Sequence, residues 1–243
     1  MNCHCCNNEY KSVYKNTLRC PNCGHIHRMY PGDSVLYHRE QYRTIERRDA
    51  SEIDPDGNVK EVFHKKRKDI CEGRLSLIKE YLDQSYSCLD IGAGAGTFAK
   101  TIAPEVKDVE CTELDPSLIA ECRRLGYATS DEDFLEINFD KQFDIVFAWH
   151  VLEHVEEIEQ FLEKTSQLTK KYCVIEVPLL QALNNEGRKR KLVDPTINVY
   201  DGHTHYFSRE SFELLASKYF NILKIQEGVQ TPALLAIMEN KSG

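Results

Sequence analysis

The cysteines near the start of the sequence have the spacing of metal ligands. Cys3 and Cys6 form one Cys-x-x-Cys pair, and Cys20 and Cys23 form a second. Each pair is a short loop that lets two thiolates reach one tetrahedral zinc ion. The residues around them are poor in aliphatic side chains and need something other than a core to hold them together. We therefore predict a structural zinc site with four cysteine ligands and no open position for chemistry.

Other potential ligands crowd the same region. Cys5 could replace one of its neighbours, and so could a nearby histidine such as His4, His25 or His27. A further alternative is that these cysteines are only buried or redox active, without a metal. The chain has 10 cysteines, which in a short secreted protein would indicate disulfides. The two paired motifs favour reduced thiols and one metal instead.

A second chemical pattern is a glycine-rich loop after an apolar stretch. Gly92, Gly94 and Gly96 follow Leu89–Ile91 and precede a helical pattern. Glycines in such a turn let a ligand approach the backbone closely. Thr97 stands where the dinucleotide fingerprint Gly-x-Gly-x-x-Gly requires its third glycine, so the pattern disfavours NAD.

Two carboxylates accompany this loop. Asp90 precedes the first glycine, where its charge would suit a ligand that carries an ammonium group. Glu113 ends the next predicted strand about twenty residues further on, where a carboxylate can accept hydrogen bonds from ribose hydroxyls. S-adenosylmethionine carries both an ammonium group and an adenosine.

A third pattern follows the apolar run Phe143–Trp149. Glu153 and His154 come just after this run, beyond the carboxyl edge of the predicted sheet, where open α/β sheets bind ligands. Histidine has a pKa suited to removing a proton from a hydroxyl acceptor. We predict that His154 is a general base and that Glu153 orients it or holds substrate. The alternative is a surface pair that caps a helix.

The histidines His203 and His205 lie in a polar segment before Ser208, which is a predicted helix cap. This His-x-His pattern is typical of an active-site loop. It could also bind a metal or be polar surface.

The composition fits one α/β domain with a small appendage. Of 243 residues, 41% are hydrophobic and 29% are charged, which is enough for a sizeable core. The formal net charge of −8 would repel a polyphosphate backbone and disfavours nucleic acid as a partner, although residues 1–30 carry a small basic patch. No apolar run reaches the roughly 18 residues of a membrane span. The first residues do not resemble a signal region, so we expect a cytoplasmic protein.

Runs of strand length alternate with helical patterns from residue 71 onward. The alternation predicts right-handed crossovers and a Rossmann-like, doubly wound, mostly parallel sheet, with the last two strands paired as an antiparallel hairpin. The predicted strands are Ser87–Ile91, Val109–Thr112, Phe143–Trp149, Cys173–Val177, Ile222–Gln226 and Leu234–Met238, with a short one near Tyr127–Thr129. The predicted helices are Pro116–Leu125, Glu156–Leu168 and Arg209–Lys218, with a further helical pattern through Cys71, Leu75, Ile78 and Leu82.

Two of these motifs resemble the class I S-adenosylmethionine-dependent methyltransferases. Residues 90–96 resemble their Asp-x-Gly-x-Gly-x-Gly loop, and Glu113 resembles their ribose-binding acid. Residues 152–155, Leu-Glu-His-Val, are similar to a subgroup that includes ubiquinone-biosynthesis O-methyltransferases and sugar methyltransferases. The resemblance covers roughly residues 71–240. It implies a methyltransferase with S-adenosylmethionine as cofactor.

The same resemblance implies roles for further residues. The cofactor neighbours would be Asp133 and Phe134 beside adenine, and Trp149 and His150 from the fourth strand. His203 and His205 would lie near the acceptor pocket as substrate contacts or catalytic residues. In some similar enzymes the residue that corresponds to Glu153 also helps to bind a divalent cation.

The implied acceptor is a hydroxyl or amine of a small or carrier-linked metabolite, with nucleotide-sugar or surface-glycan precursors as the leading class. The basic run Arg188–Lys191 would suit an anionic, nucleotide-linked acceptor. Two alternatives stay open. One is an RNA or protein methyltransferase recruited by the zinc ribbon, although Ala148–Val151 lacks the Asn/Asp-Pro-Pro-Tyr turn found in enzymes that methylate nucleobase amines. The other is a regulatory module that binds the cofactor without turnover.

These assignments divide the sequence into three parts. They are a zinc-ribbon module at 1–35, a charged linker or lid at 36–70, and a methyltransferase domain at 71–243.

Overall fold

The computed structural model describes residues 1–14, 16–29, 54, 58–180, 203–229 and 232–241. Its strands are β1 (Lys11–Tyr14), β2 (Thr17–Arg19), β3 (Ile26–Arg28), β4 (Ser87–Ile91), β5 (Asp108–Thr112), β6 (Ala128–Ser130), β7 (Phe143–Trp149), β8 (Thr169–Pro178), β9 (His205–Tyr206), β10 (Phe220–Glu227) and β11 (Ala233–Asn240). Its α-helices are α1 (Glu61–Ile78), α2 (Thr97–Ile102), α3 (Pro116–Arg124), α4 (Ile158–Leu168) and α5 (Arg209–Ala216).

The main sheet has seven strands in the order β10-β11-β8-β7-β4-β5-β6. The five strands from β6 to β8 pair in parallel, and β11 and β10 add antiparallel strands at one edge. This arrangement confirms the predicted Rossmann-like fold with its C-terminal hairpin. Chain order reverses at β4, because β5 lies on one side of it and β7 on the other. The carboxyl ends of β4 and β7 therefore form the crevice in which such sheets bind ligands.

The central strand β7 is buried on both faces of the sheet. Ile145 and Phe147 pack toward a core that includes residues of α1 and α2, whereas Val146 and Ala148 pack toward residues of α4 and α5. Side chains alternate across a strand, so a strand covered on both faces reads as a continuous apolar run. This is why Phe143–Trp149 was predicted with its observed bounds.

A second, four-stranded sheet has the order β1-β2-β3-β9. Its first three strands come from the N-terminal residues, but β9 comes from far downstream in the chain. Ile26 pairs with Tyr206, and His27 pairs with His205. The N-terminal cysteine-rich module, residues 1–29, is therefore completed by a strand from residues 205–206.

The helix that contains Cys71 begins at Glu61. It crosses the border predicted between residues 70 and 71, because the charged residues after Lys60 continue the helix. Most of the predicted linker lies outside the described residues, so the three-part division stays a prediction. Among the described residues, no helix is long and apolar enough to cross a membrane.

Candidate active site and metal centre

The glycine loop joins β4 to α2 in a left-handed conformation. Gly92, Gly94 and Gly96 have φ angles of +64°, +59° and +71°, which L side chains rarely adopt. A Cβ on Gly92 would come within 2.6 Å of Val151 Cγ2, whereas a Cβ on Gly94 would meet nothing within 4 Å. Gly94 therefore leaves open space beside the backbone, as close approach of a ligand requires.

Asp90 lies at the base of this loop and is almost fully buried. Among the residues that the structure describes, neither carboxylate oxygen of Asp90 has a hydrogen-bond partner. Burial raises the pKa of Asp90 to about 7, although the charge of Arg74 acts in the opposite direction. A buried carboxylate without partners is costly. An ammonium group bound here would supply the missing donors, so Asp90 fits the methionine end of S-adenosylmethionine.

Glu113 lies opposite, just after β5. Its Oε2 accepts a hydrogen bond from Gly94 N at 2.8 Å. Its Oε1 accepts from Leu114 N at 2.8 Å and from Asp115 N at 2.9 Å. The carboxylate thus connects the glycine loop to the residues that follow β5.

The two predicted adenine neighbours differ in their surroundings. Asp133 Oδ1 accepts a hydrogen bond from Leu135 N at 2.8 Å and so closes a local turn. Phe134 is buried and packs against Phe161 of α4, with ring centroids 5.0 Å apart. Asp133 therefore lies at the surface of the turn, while Phe134 belongs to the core behind it.

Trp149 ends β7 and is mostly buried. Its ring packs edge-on against Phe98, 4.6 Å between centroids, and the Arg74 guanidinium carbon lies 4.6 Å above it. Its indole Nε1 is buried without a partner. Most of the side chain is thus part of the core.

His150 follows Trp149 and has a φ of +57°, which is uncommon for a residue with a side chain. Its Nδ1 lies 3.1 Å from Glu153 Oε1, and its Nε2 lies 3.1 Å from Glu176 Oε1. Burial alone would lower the pKa of His150, but the two carboxylates raise it to about 9. We therefore describe His150 as a cation that bridges two buried acids.

Glu176, near the end of β8, extends this group of charged side chains from His150 to Arg74 of α1. Its Oε1 also accepts hydrogen bonds from Arg74 Nε and Nη2, at 3.1 Å and 2.5 Å. Its Oε2 accepts from Val229 N at 3.2 Å. Arg74, Glu176, His150 and Glu153 thus form a row of charges of alternating sign. Each of these charges lies next to one of opposite sign.

Glu153, His154 and His203 come together at the end of this network. One ligand atom from each lies within 4.8 Å of the other two. Glu153 is buried, and its Oε2 has no hydrogen-bond partner. Burial would raise the pKa of Glu153, but His150 lowers it to about 2. Glu153 Oε1 lies 3.1 Å from His150 Nδ1, and the same carboxylate shares the cluster with His154.

His205 does not join this cluster, which corrects its assignment as a catalytic residue. Its ring is fully buried and stacks on His27 and His25, with centroids 4.6 Å and 5.3 Å away. Its Nε2 lies 3.3 Å from Glu156 O. Because β9 pairs with β3, His205 faces the cysteine-rich module. Of the two predicted histidines, only His203 lies beside His154.

The four paired cysteines converge as the sequence predicted. The Sγ atoms of all four, Cys3, Cys6, Cys20 and Cys23, lie within 4.8 Å of one another. Sγ of Cys3 is 3.6 Å from Sγ of Cys23, and Sγ of Cys6 is 3.4 Å from Sγ of Cys20. Sulfurs around a tetrahedral zinc are about 3.8 Å apart, so the donor set fits the ion.

The alternative ligand Cys5 is also buried beside this cluster. It forms a second possible group with Cys3 and His25. Hydrogen bonds to Cys23 and Cys3 raise the pKa of the Cys5 thiol. This favours a protonated Cys5 that donates to the thiolates of Cys23 and Cys3.

Residues 62–222 match the profile of a family described as a methyltransferase domain. The chain belongs to this family. No curated protein matches the sequence.

Solved methyltransferase structures have the same fold. The chain superposes on magnesium protoporphyrin IX methyltransferase from Synechocystis with bound S-adenosylhomocysteine, with a TM-score of 0.58 and 15% identity over 86% of this chain and 100% of that one. The N-methyltransferase NodS from Bradyrhizobium japonicum, also with S-adenosylhomocysteine, gives 0.55 and 16% over the same shares. The PH0226 protein from Pyrococcus horikoshii gives 0.62 and 17% over 83% and 99%. The fold is therefore that of S-adenosylmethionine-dependent methyltransferases.

Sequence reasoning missed two members of the site, Arg74 and Glu176. A signal existed for Glu176, since it is a lone carboxylate within the apolar run Cys173–Val177. Arg74 lies in a helix rich in basic residues, and nothing in that pattern distinguishes it.

Proposed function

We propose that this protein transfers the methyl group of S-adenosylmethionine to a hydroxyl or amine of a small or carrier-linked metabolite. The observation that carries the proposal is the placement of two groups at one crevice. Asp90 lies in β4 and the open glycine loop follows that strand. Glu153 and His154 follow β7, and His203 joins them from the segment before β9. The glycine loop and Asp90 suit the cofactor, and the cluster of acid and histidines suits an acceptor.

In this mechanism the acceptor attacks the methyl carbon in line with the bond from carbon to sulfur. That bond breaks, and its electrons remain on sulfur, giving S-adenosylhomocysteine and the methylated acceptor. His154 accepts the proton of a hydroxyl or amine acceptor. The Glu153 carboxylate, held in its ionised form by His150, stabilises the imidazolium that results. His203 packs on the ring of His154 and restricts its orientation.

A divalent cation at the same cluster is a second way to lower the pKa of an acceptor hydroxyl. Two imidazoles and a carboxylate with an unpartnered oxygen are suitable ligands and leave positions for the acceptor. In that case Glu153, His154 and His203 would hold the ion, and the proton of the acceptor would pass to solvent.

The acceptor class rests on resemblance and on charge. The basic run Arg188–Lys191, which would favour a nucleotide-linked sugar, lies outside the described residues. A neighbouring fold is named as an N-methyltransferase, which agrees with an amine as one acceptor type. We place nucleotide-sugar and surface-glycan precursors first among the compounds to test.

A macromolecular acceptor is the second candidate. A groove of about 1200 Å³ lies between the loop that contains Cys20 and Cys23 and helix α5. Its lining includes Lys11 and Arg19. These cations could recruit RNA or an acidic protein. Retention that weakens steeply with salt would favour this candidate.

The first experiment is a calorimetric titration with S-adenosylhomocysteine of the wild type, Asp90→Ala and Glu113→Ala. We expect the wild type to bind S-adenosylhomocysteine and both variants to lose this binding. A screen with methyl-labelled S-adenosylmethionine then identifies the acceptor, and His154→Ala should abolish transfer while cofactor affinity is unchanged. Absence of wild-type binding would overturn the proposal. Binding without transfer to any acceptor class would favour a regulatory module.

A further inference from the structure

Residues 203–208, here called the bridging segment, lie between the cysteine-rich module and the turn at Glu153–Val155. The segment contains β9 and ends at Ser208, which caps α5. Its residues contact both neighbours through hydrogen bonds and ring packing. It therefore connects the predicted zinc site with the cluster of Glu153, His154 and His203.

The first set of contacts joins the bridging segment to the cysteine-rich module. Besides the pairing of β3 with β9, Arg28 N donates to Thr204 O at 2.7 Å. Ser208 Oγ donates to Cys23 O at 2.7 Å. The second of these bonds ends directly on a predicted zinc ligand.

Stacked histidines reinforce this side. His205 lies between His25 and His27, with interplanar angles of 20° and 17°. His27 Nε2 lies 3.1 Å from Glu156 Oε1. A buried polar cluster of this kind tolerates little displacement, because its imidazoles are removed from water and depend on one another for packing.

The second set of contacts joins the bridging segment to the active-site turn. Thr204 N donates to Glu153 O at 2.8 Å. Its Oγ1 lies 3.2 Å from Glu153 O and 3.3 Å from Val155 O. The residue before it, His203, packs against His154. Thr204 therefore contacts the backbone on both sides of His154.

We infer that Thr204 is a positioning residue through which the cysteine-rich module holds Glu153, His154 and His203 in place for methyl transfer. Its carbonyl accepts from β3, while its amide and hydroxyl bind the turn that carries the base. The metal centre thus supports the acceptor side without taking part in the reaction. The inference rests on the proposed function only for the role of His154, since the mechanical connection can be tested without turnover.

The test compares Thr204→Val with Thr204→Ser, and uses Thr129→Val at the far sheet edge as a matched control. Hydrogen exchange read by mass spectrometry follows residues 152–157, with residues 88–98 as the internal reference. Loss of one hydroxyl with two acceptors should raise exchange in 152–157 about fivefold in Thr204→Val. Thr204→Ser should restore wild-type protection, and Thr129→Val should leave this region unchanged.

Zinc removal with a chelator from the intact protein is the second arm. We expect faster exchange in the bridging segment and in residues 152–157, with residues 88–98 and the Kd for S-adenosylhomocysteine nearly unchanged. Once an acceptor is known, Thr204→Val should lower kcat and leave the KM for the cofactor unaltered.

Two results would overturn the inference. One is unchanged protection of 152–157 in both Thr204→Val and the zinc-free protein. The other is an equal rise in 88–98, including outright unfolding of either sample, since Thr204 and the metal would then serve general stability. Failure of S-adenosylhomocysteine to bind would instead count against the proposed function and leave the exchange comparison valid.

Discussion

His203 packs edge-on against His154, with ring centroids 4.6 Å apart and ring planes at 80°. The two residues lie on separate segments of the chain, and Thr204 joins those segments immediately beside them. The pair, with Glu153, is the group of side chains best placed to handle the acceptor's proton. The neighbouring His205 is turned toward the cysteine-rich module, so two histidines from one short motif serve different purposes.

This separation predicts different effects of the same substitution at the two histidines. His203→Phe keeps an aromatic ring against His154 but removes the ring nitrogens from the cluster, and we expect at least about a tenfold loss of methyl transfer. His205→Phe keeps the stack and should cost far less activity. Initial rates with a saturating acceptor would measure both. Equal losses in the two variants would contradict the assignment.

Gly94→Ala should weaken cofactor binding more than it weakens the fold. The added Cβ would occupy the open space beside the loop and would also force alanine into a left-handed conformation. Gly126→Ala is a matched control, because Gly126 has a φ of +93° and open space as well, but lies at the end of α3. Both variants should lose about 1 kcal/mol of unfolding free energy, measured by denaturant titration.

Calorimetry then separates the two glycines. Only Gly94→Ala should lose most of its affinity for S-adenosylhomocysteine. If Gly126→Ala loses as much, the effect is backbone strain rather than filling of the cofactor cradle.

The sequence predicted this sheet well because its central strands are buried on both faces. Runs such as Ile145–Trp149 are apolar throughout, and charged residues or glycines mark their ends. The glycine loop and Asp90 were predictable for a related reason, since their spacing is local. Contacts between distant segments leave no such pattern. The pairing of His27 with His205 and the ion pair of Arg74 with Glu176 depend on the tertiary fold, so neither could be read from spacing.

The pair formed by Arg74 and Glu176 should be important for stability. Both side chains are buried, and removal of Arg74 takes away one of the two cations beside Glu176. Breaking a buried ion pair by removing one partner costs about 3–5 kcal/mol. We expect Arg74→Met to lower the unfolding free energy by this order. Lys68→Met in the same helix is the control, because Lys68 and Glu72 form an exposed pair with side chains 66% and 55% accessible. Such pairs contribute about 0–1 kcal/mol.

Chemical denaturation of both variants at one pH would measure the difference. A loss below about 1 kcal/mol in Arg74→Met would show that His150 alone compensates Glu176.

The ligand set of the metal centre can be tested by comparing two adjacent cysteines. Cys6→Ser removes a sulfur that lies 3.4 Å from Cys20, so we expect zinc content well below one ion per chain. Cys5→Ser removes only a thiol donor and should retain the ion. Elemental analysis of both purified proteins gives the answer. Zinc lost from Cys5→Ser and kept by Cys6→Ser would assign Cys5 as the ligand.

Cofactor binding should depend on pH through Asp90. Its pKa of about 7 means that the carboxylate is mostly protonated at pH 6 and mostly ionised at pH 8. Only the ionised form attracts an ammonium group, so the affinity for S-adenosylhomocysteine should rise about tenfold across this range. The contribution of Asp90 to folding stability changes with pH in the opposite direction. Because the folded state holds this proton more tightly than the unfolded chain, the contribution of Asp90 to stability falls as pH rises from about 4 to about 7.

The variant Asp90→Asn distinguishes the pH dependence caused by Asp90 from that caused by other titrating groups. The amide stays uncharged, so the variant should bind weakly at every pH and lose the rise between pH 6 and pH 8. Asp108→Asn, at an exposed position of β5, should keep the wild-type profile. Calorimetry at pH 6, 7 and 8 provides both readings. A pH profile that survives in Asp90→Asn would mean that another group, rather than Asp90, meets the ammonium of the cofactor.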